Sequence, residues 1–532
     1  MARSRRHCPS AAKAAIDLWH VRRGWKPRPF KNDGGMFQKG KVSNRKIKVK
    51  FPTLNAQNAF SMGHPQEHMK RVVSICILVL LLPALALAQK QEADLMITHG
   101  IVVTMDPART VIQDGSVAVR GDSILAVGPR AEIEARYSPR QTIDAHGGLV
   151  LPGFINGHVH VPMTLFRGLH DDVTLNDWLY KYIFPAEAKN VNEEFVRWGT
   201  RLAAAEQIRA GVTTFADMYY FEDAVAEETK AAGMRGILGE TFIDFPAPDN
   251  KSEAAMLAYT ENFLKRWQGD PLIQAAPAPH SIYTCSKKTL QDAAALAHKY
   301  HAPILIHVAE MKKEWDDSEK EHGMSPVAYL NSIGVLGPNV IAAHCIFVDA
   351  ADEKLLAEKQ VGCIHNPSSN MMLASGVSPV PDLRAAGVAV GLGTDGPAGS
   401  NNDLDLMEEI DLAAKLAKIT RMNPLALNAK AVVEMATIDG ARAIHMEKEI
   451  GSLEAGKKAD LALISLDEPN AVPMYDIYAQ IAYSLKGSDV ETVIIGGRVV
   501  MRDHKLLTVD EPAVIEKARE YGESVKKSLG ME

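Results

Sequence analysis

His158-Val159-His160 is the densest piece of chemistry in this 532-residue chain. It closes an apolar run, Gly153-Phe154-Ile155-Asn156-Gly157, that follows Leu149-Val150-Leu151-Pro152. Successive side chains of a β-strand point to opposite faces. Both imidazoles therefore leave the strand on one face, about 6–7 Å apart along the backbone. Two ligands of one metal ion suit that spacing, although such a pair taken alone is more often incidental. Three more strand-like runs end in residues of the same kind: 303–310 carries His307 and Glu310, 340–344 ends in His344, and 388–395 ends in Asp395. Imidazole and carboxylate donors suit Zn²⁺, with Fe²⁺ or Mn²⁺ as alternatives. His158, His160, His307 and Asp395 thus form an expected His₃Asp metal set. Such a metal lowers the pKa of a water molecule towards about 7, and Asp395 can also take that water's proton. His344, one strand over, either orients the nucleophile or serves a second metal. A bridging second metal would want a Lys, Asp or Glu on the run 272–280, which has none. One metal per chain is expected, with Glu240 on the run 235–241 the one acid that argues otherwise. Glu310, three residues after His307, is placed to pass protons to a substrate ring nitrogen.

These residues need a scaffold that gathers strand ends. Eight strands are expected at 153–160, 213–218, 235–241, 272–280, 303–310, 340–346, 362–367 and 389–395, with helical patterning between most of them. Alternating strands and helices argue for βαβ units and a parallel sheet. Ligands at the C-terminal ends of parallel strands describe the active face of a (β/α)₈ TIM-type barrel. The expected fold class is therefore α/β, with the barrel over 151–447. Residues 89–150 and 448–510 read as short strands and turns that combine into a small β-sandwich built from both chain ends. Residues 511–532 read as a charged amphipathic helix.

The N-terminus differs from the rest. Residues 1–68 hold 15 Lys/Arg against Asp17, Asp33 and Glu67. They lack apolar periodicity and read as disordered, or as sequence upstream of a start at Met69. Met69-Lys70-Arg71, an uncharged stretch to Ala88 and a small-x-small ending make a signal peptide over 69–88. An exported, periplasmic or extracellular protein is expected if it is used, and a cytoplasmic or membrane-anchored one otherwise. The remaining chain has 42 Lys/Arg and 62 Asp/Glu, a net charge near −20. That acidity argues against a nucleic-acid polymer as partner and leaves a small-molecule substrate open. Cys285, Cys345 and Cys363 form no disulfide framework, and Cys345 reads as buried packing.

With these residues in place, the chain resembles the amidohydrolase superfamily. Within it the closer likeness is to the 5'-methylthioadenosine/S-adenosylhomocysteine deaminases and the related chlorohydrolases. The resemblance spans about 94–510. It rests on Gly153 to His160, Phe184-Pro185-Ala186-Glu187-Ala188-Lys189, Pro279 to Ser286, His307-Val308-Ala309-Glu310, His365-Asn366-Pro367-Ser368-Ser369-Asn370 and Gly393-Thr394-Asp395-Gly396-Pro397. It implies ligands at His158, His160, His307 and Asp395, a proton shuttle at Glu310, and His344 beside the attacking water. It also implies Glu187 on ribose hydroxyls, His280 in contact with substrate and Trp178 lining the pocket. His365 is either a structural hydrogen-bonding group or a substrate contact. A homo-oligomer is implied as well.

The chain departs from the pattern in one place. Members that accept S-adenosylhomocysteine carry arginines before the fourth strand, and 244–272 holds only Arg266. The leading expectation is a metal-dependent deaminase that removes an exocyclic amine from a purine nucleoside-like ring. The alternatives are hydrolysis of another C–N or C–Cl bond on the same scaffold, and a non-catalytic exported binding protein.

Overall fold

The computed structural model describes residues 90–531; the expected basic segment 1–68 and export segment 69–88 lie outside them. Five strands come first: β1 (Gln91–Val103), β2 (Val111–Arg120), β3 (Ser123–Pro129), β4 (Tyr137–Asp144) and β5 (Leu149–Pro152). Eight more alternate with helices: β6 (Phe154–Val159), β7 (Val212–Tyr219), β8 (Arg235–Phe242), β9 (Ile273–Pro279), β10 (Ile304–Val308), β11 (Val340–His344), β12 (Gly362–His365) and β13 (Ala389–Leu392). These eight are the expected barrel strands. They pair in parallel in the order β10-β11-β12-β13-β6-β7-β8-β9.

The parallel sheet curls onto itself. Ile155, Ala216, Ile237, Ala276, Leu305, Ile341 and Ile364, one from each of β6 to β12, meet in one buried cluster. Strands that far apart in an open sheet could not share it. At the seam between β9 and β10, the His307 N–H donates to the His280 carbonyl at 3.0 Å. The alternate residues, such as Phe154, Phe215, Leu238, Ile306 and Ala342, belong to a second cluster under the helices. With both faces buried, each strand reads as a continuous apolar run. The helix Lys287–Tyr300 shows the complementary pattern. It buries Thr289, Leu290, Ala293 and Ala297 at spacings of three and four, and Ser286 caps its first turn.

Alternation has a consequence at the strand exits. Leu305 and Ile341 face inward, so His307 and Ala343 do too, and strict alternation would turn Glu310 and His344 outward. Both are re-aimed by left-handed backbone, at φ 52° for Ala309 and φ 74° for His344; Asp395 sits at φ 62°. For residues other than glycine this conformation costs about 1–2 kcal/mol each, so three strained positions gather where the site lies.

Four strands complete the chain: β14 (Leu461–Ile464), β15 (Val490–Ile495), β16 (Arg498–Arg502) and β17 (Lys505–Leu506), followed by the helix Glu511–Leu529. Both chain ends do combine, through β5 and β14, and the expected small β-sandwich is hydrogen-bonded as one continuous sheet. Its order is β17-β16-β15-β14-β5-β1-β2-β3, with β4 also on β1. The reason is the 13-residue β1: one edge holds β4 along Gln91 to Thr98 and then β5 at Ile101 and Val102, so the pairing never breaks. The sheet still encloses its own core, in which Leu95, Val117 and Ile143 meet Leu461, Leu463 and Ile494.

A buried ion pair joins this sheet to the barrel. Arg235 of β8 donates to Asp460 through Nε (2.9 Å) and Nη2 (3.3 Å), and both side chains are 3% exposed. Asp460 also accepts from the Gly496 N–H at 2.6 Å. Asp460→Ala strands a buried guanidinium, and the expected loss is about 3–5 kcal/mol of unfolding free energy, read from urea titration.

Candidate metal and catalytic site

The exits of β6, β10, β11 and β13 bring the expected ligands together. His158 Nε2 and His160 Nε2 lie 3.3 and 3.2 Å from the same Asp395 oxygen, Oδ1. Donor atoms of His158, His307, His344 and Asp395 all fall within 4.8 Å of one another. The geometry therefore adds His344 to the neighbourhood of the His₃Asp set. His344 Nε2 is 3.9 Å from both Asp395 Oδ2 and Glu310 Oε2.

Hydrogen bonds behind the imidazoles fix which nitrogen faces inward. His160 Nδ1 meets the Met218 carbonyl at 2.6 Å, and His307 Nδ1 meets the His280 carbonyl at 2.8 Å. In the neutral ring each Nδ1 carries the proton, which leaves a lone pair on Nε2. His344 Nδ1 lies between Asn370 Oδ1 at 3.0 Å and Asn366 Nδ2 at 3.3 Å. The Nε2 atoms of His158 and His344 are buried without a hydrogen-bond partner. Unpartnered buried nitrogens around one carboxylate are what a divalent cation satisfies, and this donor set fits one.

Asp395 is the best-held group. Ser369 Oγ donates to Oδ2 at 2.5 Å and the Gly396 N–H to Oδ1 at 2.8 Å. Burial works to raise its pKa, but the His158 and His160 contacts outweigh that and hold it well below the usual carboxylate range. Glu310 goes the other way: burial, reinforced by the Asp395 charge, pushes it well above its ordinary value. Two neighbouring carboxyls are thus pushed in opposite directions by their surroundings. Burial lowers His158 to about 4. In His160 burial is overcome by Asp395, and the imidazole rises to about 8.

A pocket of about 580 Å³, partly open to solvent, sits over this cluster. Glu187, Trp178 and His280 all line it, as expected from their sequence contexts. Glu187 is 4% exposed; burial raises it to about 7, against the pull of the Tyr219 and Tyr220 hydroxyls. Trp178 donates through Nε1 to the Ala398 carbonyl at 2.8 Å and begins a π-helical turn, Trp178–Ile183. Such turns recur at functional sites. His280 packs on His307 with ring centroids 4.6 Å apart, and burial lowers it to about 3. His365 is buried, is absent from the pocket lining, and leaves Nδ1 unpartnered. Glu240 points away from the metal cluster: it accepts from Asn250 Nδ2 and the Glu222 N–H. Cys345 is buried, as expected, 3.1 Å from Cys363 Sγ.

Ser369 and Asn370 lie in the stretch that carried the family resemblance, yet their contacts to Asp395 and His344 were not read from it. The short helix Pro367–Met372 after β12 delivers them. Tyr219 and Tyr220 were likewise missed, reading as ordinary strand-end aromatics.

Residues 149–500 match the amidohydrolase family. A 5-methylthioadenosine/S-adenosylhomocysteine deaminase of Syntrophus aciditrophicus is 44% identical over 439 residues, 82% of this chain and 99% of that protein. A 5'-deoxyadenosine deaminase of Methanosarcina acetivorans is 41% identical over 81% of this chain and 98% of its own. Among solved structures, a zinc-bound adenosine deaminase from Xanthomonas campestris superposes with a TM-score of 0.81 at 36% identity, over 82% of this chain and all of that one. The chain belongs to the amidohydrolase family, and its site is built to hold a divalent metal.

Ser369→Ala removes one of the two donors that orient Asp395. The expected result is metal affinity weakened by about 10–100-fold, measured by competition with a chromophoric chelator.

Proposed function

We propose that this protein is a zinc-dependent hydrolase of C–N bonds other than peptide bonds, which removes the exocyclic amine of an adenine nucleoside and releases ammonia. The observation that carries this is the convergence of His158, His307, His344 and Asp395 within 4.8 Å, with Glu310 and Asp395 lining the same pocket. The activities named for both relatives, and for the solved structure, are deaminations of adenine nucleosides.

One zinc per chain would be held by His158, His160, His307 and Asp395, and when bound it supplies electrostatic activation of a water nucleophile. The residues of the chain do the rest. Glu310 donates its proton to the ring nitrogen, which makes the adjacent carbon electrophilic. Asp395 takes a proton from the attacking water while His344 orients it. That proton passes to the departing amine, which leaves as ammonia. The proton left on the new hydroxyl returns to Glu310 as the carbonyl forms, so the enzyme is restored and one water is consumed. Glu187 accepts from ribose hydroxyls, and Trp178 and His280 flank the substrate.

The pocket lining narrows the substrate. Phe184 lines this rim and packs edge-on against Tyr180 and Phe245 behind it, with centroid spacings of 5.5 and 5.2 Å. Among the described residues no lysine or arginine lines the pocket. Arg266 lies on the helix Glu253–Trp267, paired with Glu227 and Asp223. An apolar 5'-substituent matches this rim, whereas a zwitterionic amino-acid tail would lose water without gaining a cation. We also read 69–88 as an export signal, so the reaction runs outside the cytoplasm in a homo-oligomer.

Ammonia release from 5'-methylthioadenosine, 5'-deoxyadenosine, adenosine and S-adenosylhomocysteine tests this reading on zinc-loaded protein beginning at Gln89. The expected kcat/KM is at least about tenfold higher for 5'-methylthioadenosine than for S-adenosylhomocysteine. Glu310→Gln should keep its zinc and lose about 10²–10⁴ in kcat. Silence across the panel in zinc-loaded wild type would sink the proposal.

A further inference from the structure

Behind the pocket a second buried carboxylate, Glu314, holds the turn that carries Glu310. It belongs to the helix Lys312–His322 and is 3% exposed. Its Oε1 accepts from the Ala309 N–H at 3.1 Å, and its Oε2 from the Glu310 N–H at 2.9 Å. Strand β10 has already ended at Val308, so these are the first two N–H groups beyond the sheet's reach. Buried N–H groups without a partner are rare, and here one carboxylate takes both. The other side of the turn is stitched to the segment that follows β11: the Ala309 carbonyl accepts from Ile346 (3.1 Å) and Phe347 (2.9 Å).

This clamp closes around the left-handed Ala309, the residue that turns Glu310 from the helix side into the pocket. An alanine does not hold that conformation unaided. A glutamate in the first turn of a helix ordinarily serves as a cap for the helix itself; this one reaches back to the catalytic turn.

We infer that Glu314 is a positioning residue for proton transfer: by accepting both N–H groups it fixes the left-handed turn and aims the Glu310 carboxyl at the substrate ring. The inference rests on the deaminase reading for its catalytic consequence, and on geometry alone for the clamp.

The test is a double-mutant cycle on zinc-loaded protein, with amide hydrogen exchange as a readout independent of activity. Glu314→Gln places an NH₂ group against one of the two N–H donors. Its expected kcat falls about 10–100-fold, with KM within about threefold and zinc content unchanged. Exchange in a peptide covering 304–315 should accelerate while the other barrel strands keep their protection. In a Glu310→Gln background the same substitution should cost less than about twofold, because the group it positions is gone. Glu314→Asp keeps the charge but is one methylene too short to span both donors. It should show an intermediate loss, and it takes the place of Glu314→Gln in the cycle if that variant does not fold. The inference is overturned by kcat within twofold of wild type, by unchanged exchange at 304–315, or by an equal loss with and without Glu310. A wild type that deaminates none of the nucleosides removes the function proposed above. The exchange data would still decide whether the clamp exists.

Discussion

An ionised carboxylate at the buried floor of the pocket organises this molecule. Among the described residues no lysine or arginine pairs with Asp395. A serine hydroxyl and a backbone N–H donate to it, and the unpartnered imidazole nitrogens beside it face a cation site. Removing either donor leaves a buried anion short of hydrogen bonds. The requirement reaches outward: His160 needs the Met218 carbonyl, His307 needs the His280 carbonyl, and Ser369 needs the helix after β12. The ends of β6, β7 and β12 are tied to one oxygen pair by direct or single-relay contacts. Glu310 belongs to the same balance: burial, and then the Asp395 charge, push its pKa up.

The barrel makes this possible by putting every strand exit at one face, but alternation alone would have aimed His158, His160, Glu310 and His344 wrongly. A break in register between Asn156 and Val159 turns the two β6 histidines inward, and left-handed backbone at Ala309 and His344 re-aims the other two. The strain is local and is held by neighbours, through the Glu314 clamp at one turn and the Cys345 N–H bond to the Val308 carbonyl at the other. Rigid supports of this kind are what a proton relay between fixed atoms requires.

Much of this was legible in the sequence. Continuous apolar runs revealed eight strands because burial on both faces leaves no polar position to interrupt them. The ligands stood at the ends of those runs, so their convergence followed from topology. The chain-end pairing was also legible, since two β-rich blocks of the same texture flank the barrel. What stayed hidden depends on long-range contact. Glu314 reads as one more acid in Lys312-Lys313-Glu314-Trp315-Asp316-Asp317, five of whose six residues are charged. Only the helix's docking shows that it faces inward while Asp316 and Asp317 pair with lysines. The continuity of the small sheet was hidden because it turns on one long strand sharing an edge between two partners, which periodicity cannot reveal.

The pairing of β5 with β14 joins Leu149 to Ile464 and Leu461 to Pro152. Strand β5 thus waits for a partner that emerges from the ribosome some three hundred residues later, and the barrel lies wholly between them. The small sheet acts as a clasp that shuts only when the chain is complete. Contacts of such sequence separation are slow to form. Until then β5 carries an open hydrogen-bonding edge on the side away from β1. For a chain that must cross a membrane before folding, late closure keeps it threadable; for one that folds where it is made, the same delay is a window for misassembly.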